Sequence, residues 1–389
     1  MEVVLLRCAA ILVCLVVVQA QVPPFTEKCE HGMYPPKAES KVASYVINLD
    51  LPPAERWTSL AKEKAPQIRD MIAEIKAFAG AFGNGSIIAL VDKYLAPLAD
   101  TLPYPFADEL KGIAKATDIP LGEVVLFNVF YEFFTVCTSI VAEDPSGKLF
   151  HARNLDFGLF LGWDIKNNTW ALSEKLRPIV VNLDWQRGGK TVFKSVNFAG
   201  YVGLLTAVKP QTFTYSMNER FSADGGYIGL IEWILGQRDG SWMGFLTREV
   251  LENATSFTEA ETMLANRTML APAYFILGGT KSGEGAIITR SRERALDIKR
   301  LDPANGRWFL LQTNYDNWEN PPFIDDRRTP GDNCMANMTT ANTDLPHIFD
   351  VLSSKPVLNK LTTYTALMQV DEGHIESYIQ ECPDPCIPW

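Results

Sequence analysis

Cys137 sits where an apolar, helix-patterned run ending Phe133-Phe134-Thr135-Val136 gives way to the strand-patterned Cys137-Thr-Ser-Ile-Val141. Were the Val136–Cys137 bond cut, one residue would carry both a thiol and an α-amine. That is a nucleophile and its base together. The plainer reading is a small core residue, since free cysteine is among the most buried residue types. Taken alone, the residue favours the plainer reading.

Its surroundings add charge. Cys137 to Glu143 and Lys148 to Asn154 flank Asp144-Pro-Ser-Gly147, which has hairpin turn chemistry. If Glu143 faces Lys148, antiparallel pairing sets Cys137 opposite Asn154, with Arg153 and Asp156 within one or two positions. The arginine would lower the thiol pKa, and the carboxylate would hold an α-amine. A slip of one residue changes which of them shares the thiol's face. On spacing alone, an ordinary ion pair at a strand end accounts for both.

Other chemistries fall away. There is no Gly-x-Ser-x-Gly elbow, and Gly189-Lys190-Thr191 lacks the earlier glycine of a phosphate loop. His31, His151, His347 and His374 are scattered without metal-ligand spacing, so neither a zinc site nor any cofactor is expected. The net charge of −10, with no basic stripe, argues against nucleic acid as a partner. Protonating the histidines in acid would make approach to an anionic membrane less repulsive.

Residues 1–20 read as a secretory signal. Arg7 precedes an apolar stretch from Cys8 to Val18, and Val18-Gln19-Ala20 is an acceptable cleavage triplet. The stretch is short for a membrane span. Cys8 and Cys14 leave with the signal, and the remaining cysteines are Cys29, Cys137, Cys334, Cys382 and Cys386. Cys382-Pro-Asp-Pro-Cys386 looks like a local staple, which leaves Cys29 to pair with Cys334. Sequence does not prove that connectivity, but the scheme makes Cys137 a free thiol in an oxidising compartment, and such a thiol calls for a chemical explanation. Asn84, Asn167, Asn253, Asn266 and Asn337 head glycosylation triplets, as a secreted glycoprotein would.

The elements that must position these residues follow from periodicity. A strand over Ser44–Leu49 precedes a helical third, in which Ile68, Met71, Ile72 and Ile75 share a face, as do Val91 and Leu95. A buried helix runs from Leu121 to about Phe134. The period then changes to two, with strands at Ile179–Asp184, Thr191–Val196, Tyr201–Val208 and Phe213–Met217. Helices follow near Gly226–Leu235, Gly244–Leu251 and Thr258–Leu264. Strands return at Tyr274–Leu277, Ala286–Thr289, Leu296–Lys299 and Trp308–Thr313, before a helix at Pro346–Leu352 and a closing strand at Tyr364–Val370. Strands, helices and strands again indicate an α+β chain of two antiparallel sheets with helical layers outside.

Six motifs in order carry a resemblance. Cys137-Thr-Ser-Ile-Val-Ala142, His151-Ala-Arg-Asn-Leu-Asp-Phe-Gly158, Gly200-Tyr-Val-Gly203, Asn218-Glu-Arg220, Thr313-Asn-Tyr-Asp316 and Asp325-Asp-Arg-Arg-Thr-Pro330 closely resemble the acid ceramidase family. That family belongs to the N-terminal-nucleophile hydrolases, alongside N-acylethanolamine acid amidase, bile salt hydrolase and penicillin V acylase. The resemblance covers essentially the whole chain after the signal. The Cys-Pro-Asp-Pro-Cys tail and Phe157–Trp163 are similar to the ceramidases more than to the ethanolamide amidases.

The resemblance implies an αββα sandwich and a precursor that cuts itself at Val136–Cys137. Its products would be an α subunit, 21–136, mostly helical, and a β subunit, 137–389, joined by a Cys29–Cys334 bridge. It further implies Cys137 as nucleophile, with Arg153 favouring the thiolate and Asp156 contacting the α-amine. Asn314 would be the oxyanion donor, Arg327 an orienting group, and Glu219 an assistant in self-cleavage unless it merely pairs with Arg220. The implied reaction is lysosomal hydrolysis of ceramide to sphingosine and fatty acid, aided by a saposin-type activator at an anionic membrane surface, with some enzyme secreted. Leu159-Phe-Leu-Gly-Trp163 and Ile228–Leu235 are candidate channel rims, although buried core is the plainer reading of each. The competing readings are an N-acylethanolamine amidase of the same class and a non-catalytic secreted lipid-binding protein.

Overall fold

The computed structural model of the chain describes residues 28–83, 95–130, 135–157, 162–222, 228–229, 232–233 and 235–386. The expected signal at 1–20, Asn84, Val91, most of Leu159–Trp163 and much of the expected helix Gly226–Leu235 lie outside the described residues.

Two sheets face each other. The larger has eight strands in the order β1-β6-β7-β8-β9-β10-β11-β12, and the smaller has five in the order β13-β2-β3-β14-β15. In chain order these are β1 (Ser44–Asn48), β2 (Thr135–Glu143), β3 (Leu149–Phe157), the short β4 (Trp163–Asp164) and β5 (Thr169–Trp170), and β6 (Val180–Arg187). They continue with β7 (Lys190–Phe198), β8 (Thr206–Lys209), β9 (Phe213–Glu219), β10 (Ala273–Gly278), β11 (Gly285–Arg290) and β12 (Ala295–Arg300). The chain closes with β13 (Phe309–Gln312), β14 (Thr362–Gln369) and β15 (His374–Ile379). Pairing is antiparallel except that β1 lies parallel to β6. The two expected antiparallel sheets are present with β1 as a parallel edge, while β15 and the helix Arg328–Met338 were not foreseen.

Helices Thr58–Gly83, Phe106–Thr117 and Leu121–Phe130 fill the N-terminal third. Ile68, Met71, Ile72 and Ile75 are all buried, as their 3.6-residue spacing requires. They pack into one apolar core with Cys137, Leu155, Phe157 and apolar side chains of β6 to β9. A second core lies on the other side of the smaller sheet, where Met335, Ile348 and Leu352 cover Ile140, Ala152, Leu311 and Leu367. The strands β2 and β3 are therefore covered on both faces, and every residue of β3 is buried.

Disulfides join Cys29 to Cys334 and Cys382 to Cys386, and Cys137 is free and buried. Asn167, Asn253, Asn266 and Asn337 are exposed. Among the described residues no helix is long and apolar enough to cross a membrane, and no cluster of His, Cys, Asp and Glu could hold a metal ion.

Candidate active site

The hairpin that carries Cys137 turns one residue later than its sequence indicates. Asp144 N–H donates to the Lys148 carbonyl at 3.0 Å, while Asp144 Oδ1 accepts from Ser146 and Lys148 amides. The loop is thus Pro145-Ser146-Gly147, with Gly147 at φ +88°, a conformation that favours glycine. Glu143 consequently pairs with Leu149, and Cys137 faces Leu155 rather than Asn154.

This register decides the faces. Ser139 lies opposite Arg153, so Arg153 shares the inner face with Cys137 and reaches it on the diagonal. Arg153 Nη2 hydrogen-bonds the Cys137 thiol, and Nη1 donates to Leu205 O at 2.9 Å and Thr206 Oγ1 at 3.0 Å. Asp156 lies opposite Val136, one position before the thiol. Its carboxylate accepts from Thr362 Oγ1 at 2.6 Å, Arg327 Nη1 at 3.2 Å and Asn359 Nδ2 at 3.3 Å.

Arg327 gathers the rest. It precedes the helix Arg328–Met338 and is only 1% exposed. Its Nη1 donates to the Cys137 carbonyl at 2.7 Å and to Thr138 Oγ1 at 3.2 Å. Its Nη2 donates to Asn314 Oδ1 at 2.8 Å, and Asp325 takes Nε at 2.7 Å. Asn314 Oδ1 also accepts from the Cys137 N–H at 2.9 Å, while Nδ2 donates to the Glu219 carbonyl at 2.8 Å. Backbone amide, backbone carbonyl and thiol of Cys137 are thus each held by a different side chain.

Of the residues chosen from sequence, Cys137, Arg153, Asp156, Asn314 and Arg327 come together, all at most 1% exposed. Glu219 joins them through its backbone carbonyl, at the end of β9. Arg220 makes a two-pronged pair with Asp316 at 2.5–2.7 Å. Sequence reasoning assigned no role to Thr138, Asp325, Asn359 or Thr362. Asp325 lay inside a motif already singled out, whereas Asn359 and Thr362 gave no local signal.

Electrostatics in the uncut chain oppose ionisation of the thiol. Burial pushes the Cys137 thiol up to about 11, against the pull of Arg153 and Arg327. Burial also raises Asp156 to about 6, although Arg327, Thr362 and Asn359 all favour its charged form. The Arg327 guanidinium, held by Asp325 and Asp156, is pushed above its ordinary range and stays charged.

Linear amide C–N hydrolases of the choloylglycine hydrolase family match residues 137–381, and the beta subunit of N-acylethanolamine-hydrolyzing acid amidase matches residues 40–102. Acid ceramidase of Bos taurus is 54% identical over 385 residues, covering 98% of this chain and 97% of the relative. Acid ceramidase of Homo sapiens is 53% identical over 391 residues, covering 100% and 98%. The solved structure of a Caenorhabditis elegans N-acylethanolamine-hydrolyzing acid amidase ortholog shares 30% identity, with a TM-score of 0.54, over 63% of this chain and all of that one. The chain is therefore an amidohydrolase that belongs to the acid ceramidase family, within the choloylglycine hydrolase family of linear amide C–N hydrolases.

Proposed function

We propose that this protein hydrolyses ceramide to sphingosine and a fatty acid through a thioester on Cys137, after the chain is cut at Val136–Cys137. The observation that carries the reading is a buried free thiol against Arg153 whose own backbone N–H and carbonyl are held by Asn314 and Arg327.

In the cutting step the Cys137 sulfur bonds to the Val136 carbonyl carbon as the C–N bond breaks and the thiol proton passes to nitrogen. Water then splits the thioester, leaving a Val136 carboxylate and a Cys137 α-amine. The products are the subunits 21–136 and 137–389, held together by Cys29–Cys334.

In turnover the α-amine takes the thiol proton and the thiolate attacks the ceramide carbonyl. Sphingosine leaves with that proton on its nitrogen, and water releases the fatty acid. Arg153 stabilises the thiolate and Asp156 holds the amine. Asn314 donates to the developing oxyanion, and Arg327 keeps Asn314 and Asp156 in place. Glu219 assists the cut. Val136 and Cys137 are at most 7% exposed, so substrate reaches the sulfur only after the new chain end leaves β2.

We place the enzyme in the lysosome, with a secreted fraction, glycosylated at its exposed acceptors. There it would work at an anionic membrane surface with a saposin-type activator that lifts the lipid from its bilayer. The second match, to an N-acylethanolamine amidase subunit, supports N-acylethanolamines as the alternative substrate.

Reducing gels and parallel assays with both amides, on wild type and Cys137→Ala, test the reading. Two chains and ceramide turnover in wild type, with one chain and no turnover in the variant, are expected. Turnover by Cys137→Ala would overturn it, and a single unsplit chain that only binds lipid would make this a carrier.

A further inference from the structure

A second polar assembly lies beside the thiol, and the mechanism above makes no use of it. On the inner face of β9, Thr214, Ser216 and Asn218 alternate toward β2 and β3. His151 Nδ1 lies 2.9 Å from Thr214 Oγ1, and Nε2 lies 2.8 Å from Ser216 Oγ. Ser216 Oγ is 2.9 Å from Ser139 Oγ, which is 2.8 Å from Asn218 Oδ1. Asn218 Nδ2 then donates to the carbonyls of Gln312 at 2.8 Å and Thr313 at 3.1 Å. The next residue is Asn314. All these side chains are at most 2% exposed.

Counting protons fixes the direction of this chain from Asn218 back to the Nε2 of His151. Two carbonyls orient the Asn218 amide, so its Oδ1 is an acceptor and the Ser139 hydroxyl must donate to it. Ser139 then accepts from Ser216. The Ser216 proton is thereby committed, so His151 Nε2 must carry a hydrogen and donate it. A neutral imidazole has no second hydrogen, so Nδ1 accepts from the Thr214 hydroxyl. The Thr214 hydroxyl can alternatively donate to the Gly278 carbonyl at 3.2 Å, the longest contact of the set. A proton directed there would demand a charged ring.

We infer that His151 is a neutral Nε2–H positioning residue, which orders Ser216, Ser139 and Asn218 into a one-way hydrogen-bond relay that sets the backbone before Asn314. Ser139 anchors the same relay two residues after Cys137, on the same strand face. One chain of hydrogen bonds therefore fixes the spacing between thiol and side-chain amide. Burial and the Arg153 guanidinium, two residues along β3, push the imidazole down to about 3, which keeps it neutral in acid. Both ring nitrogens meet hydroxyls, and no carboxylate among the described residues bonds either.

The inference rests on Cys137 as nucleophile only for its kinetic consequence; the tautomer stands apart from it. The test uses full-length Cys137→Ala protein with 15N-labelled histidine, with His151→Gln assigning one of the four imidazoles. A ring protonated at Nε2 alone, unchanged from neutral pH into the acid range, is expected; a charged ring or an Nδ1–H tautomer would overturn the relay. In otherwise wild-type protein, Ser139→Ala and Ser216→Ala should lower kcat about tenfold or more with KM little changed, because misplacement acts on the reacting geometry. His151→Gln, which supplies one donor and one acceptor, should restore most of the kcat that His151→Leu loses. Equal losses in Gln and Leu, or serine variants with wild-type kcat, would refute a positioning role. Activity in Cys137→Ala would sink the proposed nucleophile and leave the tautomer result intact.

Discussion

The Cys137 N–H donates to Asn314 Oδ1 across 2.9 Å, joining residues 177 positions apart in the chain. The same oxygen accepts from Arg327, and the amide nitrogen faces the Glu219 carbonyl, so the side chain's orientation is fixed at both ends. Asn314→Asp keeps the acceptor and removes the donor. If the amide stabilises the oxyanion, kcat should fall about 10²–10³-fold while the protein remains folded. Steady-state kinetics with circular dichroism check this, and a fully active aspartate variant would exclude the role.

Arg153 should set the reactivity of the thiol. Its guanidinium opposes the burial that pushes Cys137 to about 11. Arg153→Gln removes that opposition, so the pH midpoint of Cys137 alkylation should move upward. Mass spectrometry of iodoacetamide labelling of the split protein across pH measures the midpoint. A midpoint unchanged by the substitution would assign Arg153 to packing against Leu205 and Thr206 alone.

How much of this was legible follows from what each residue's neighbours are. The face Ile68, Met71, Ile72 and Ile75 was readable because helical spacing is local, and all four are buried. The nearness of Arg153 to Cys137 was readable because a hairpin joins them. Its geometry was not, since Asp144 caps the turn with its own side chain and shifts the register by one. The parallel β1–β6 pair joins strands more than a hundred residues apart, beyond any local pattern. Asn359 and Thr362 meet Asp156 for the same reason, across the β3–β14 pairing. His151 looked idle because metal spacing was sought, whereas its partners are hydroxyls on a strand some sixty residues away.

Two buried groups of the site should pull stability in opposite directions across the acid range. Asp156 has its folded value raised from 3.8 to about 6, so the folded state holds its proton more tightly. Its contribution is present in acid and lost as pH rises toward 6. His151 has its folded value lowered from 6.5 to about 3, so its contribution is present above 6.5 and lost as pH falls toward 3. Between pH about 4 and 6 the slopes oppose, each about 1 kcal/mol per pH unit. His151→Gln should therefore lose stability as pH rises, and Asp156→Asn as pH falls. Thermal melts across that range decide it: parallel curves for both variants would show that neither group titrates there.

The N-terminal third should stay bound even without its disulfide. Glu109, on the helix Phe106–Thr117, is fully buried and bonds Arg248 through both oxygens, with Arg248 Nη2 at 2.7 Å. Arg56 and Trp57 add bonds at 2.9 and 2.8 Å, and the Arg248 guanidinium lies 4.4 Å from the Trp185 ring. The cluster straddles the proposed cut. Removing Glu109 takes the shared carboxylate from Arg56 and Arg248 and leaves buried Arg248 only Glu252, at 3.1 Å, so Glu109→Ala should cost about 3–5 kcal/mol, and Glu109→Leu with Arg248→Met should recover much of it. In split protein with Cys29–Cys334 reduced, the two chains should co-elute on a sizing column. In Glu109→Ala they should separate, because the disulfide then no longer backs up a weakened interface. Separation of the reduced wild type would show instead that the bridge, rather than the clamp, holds the halves together.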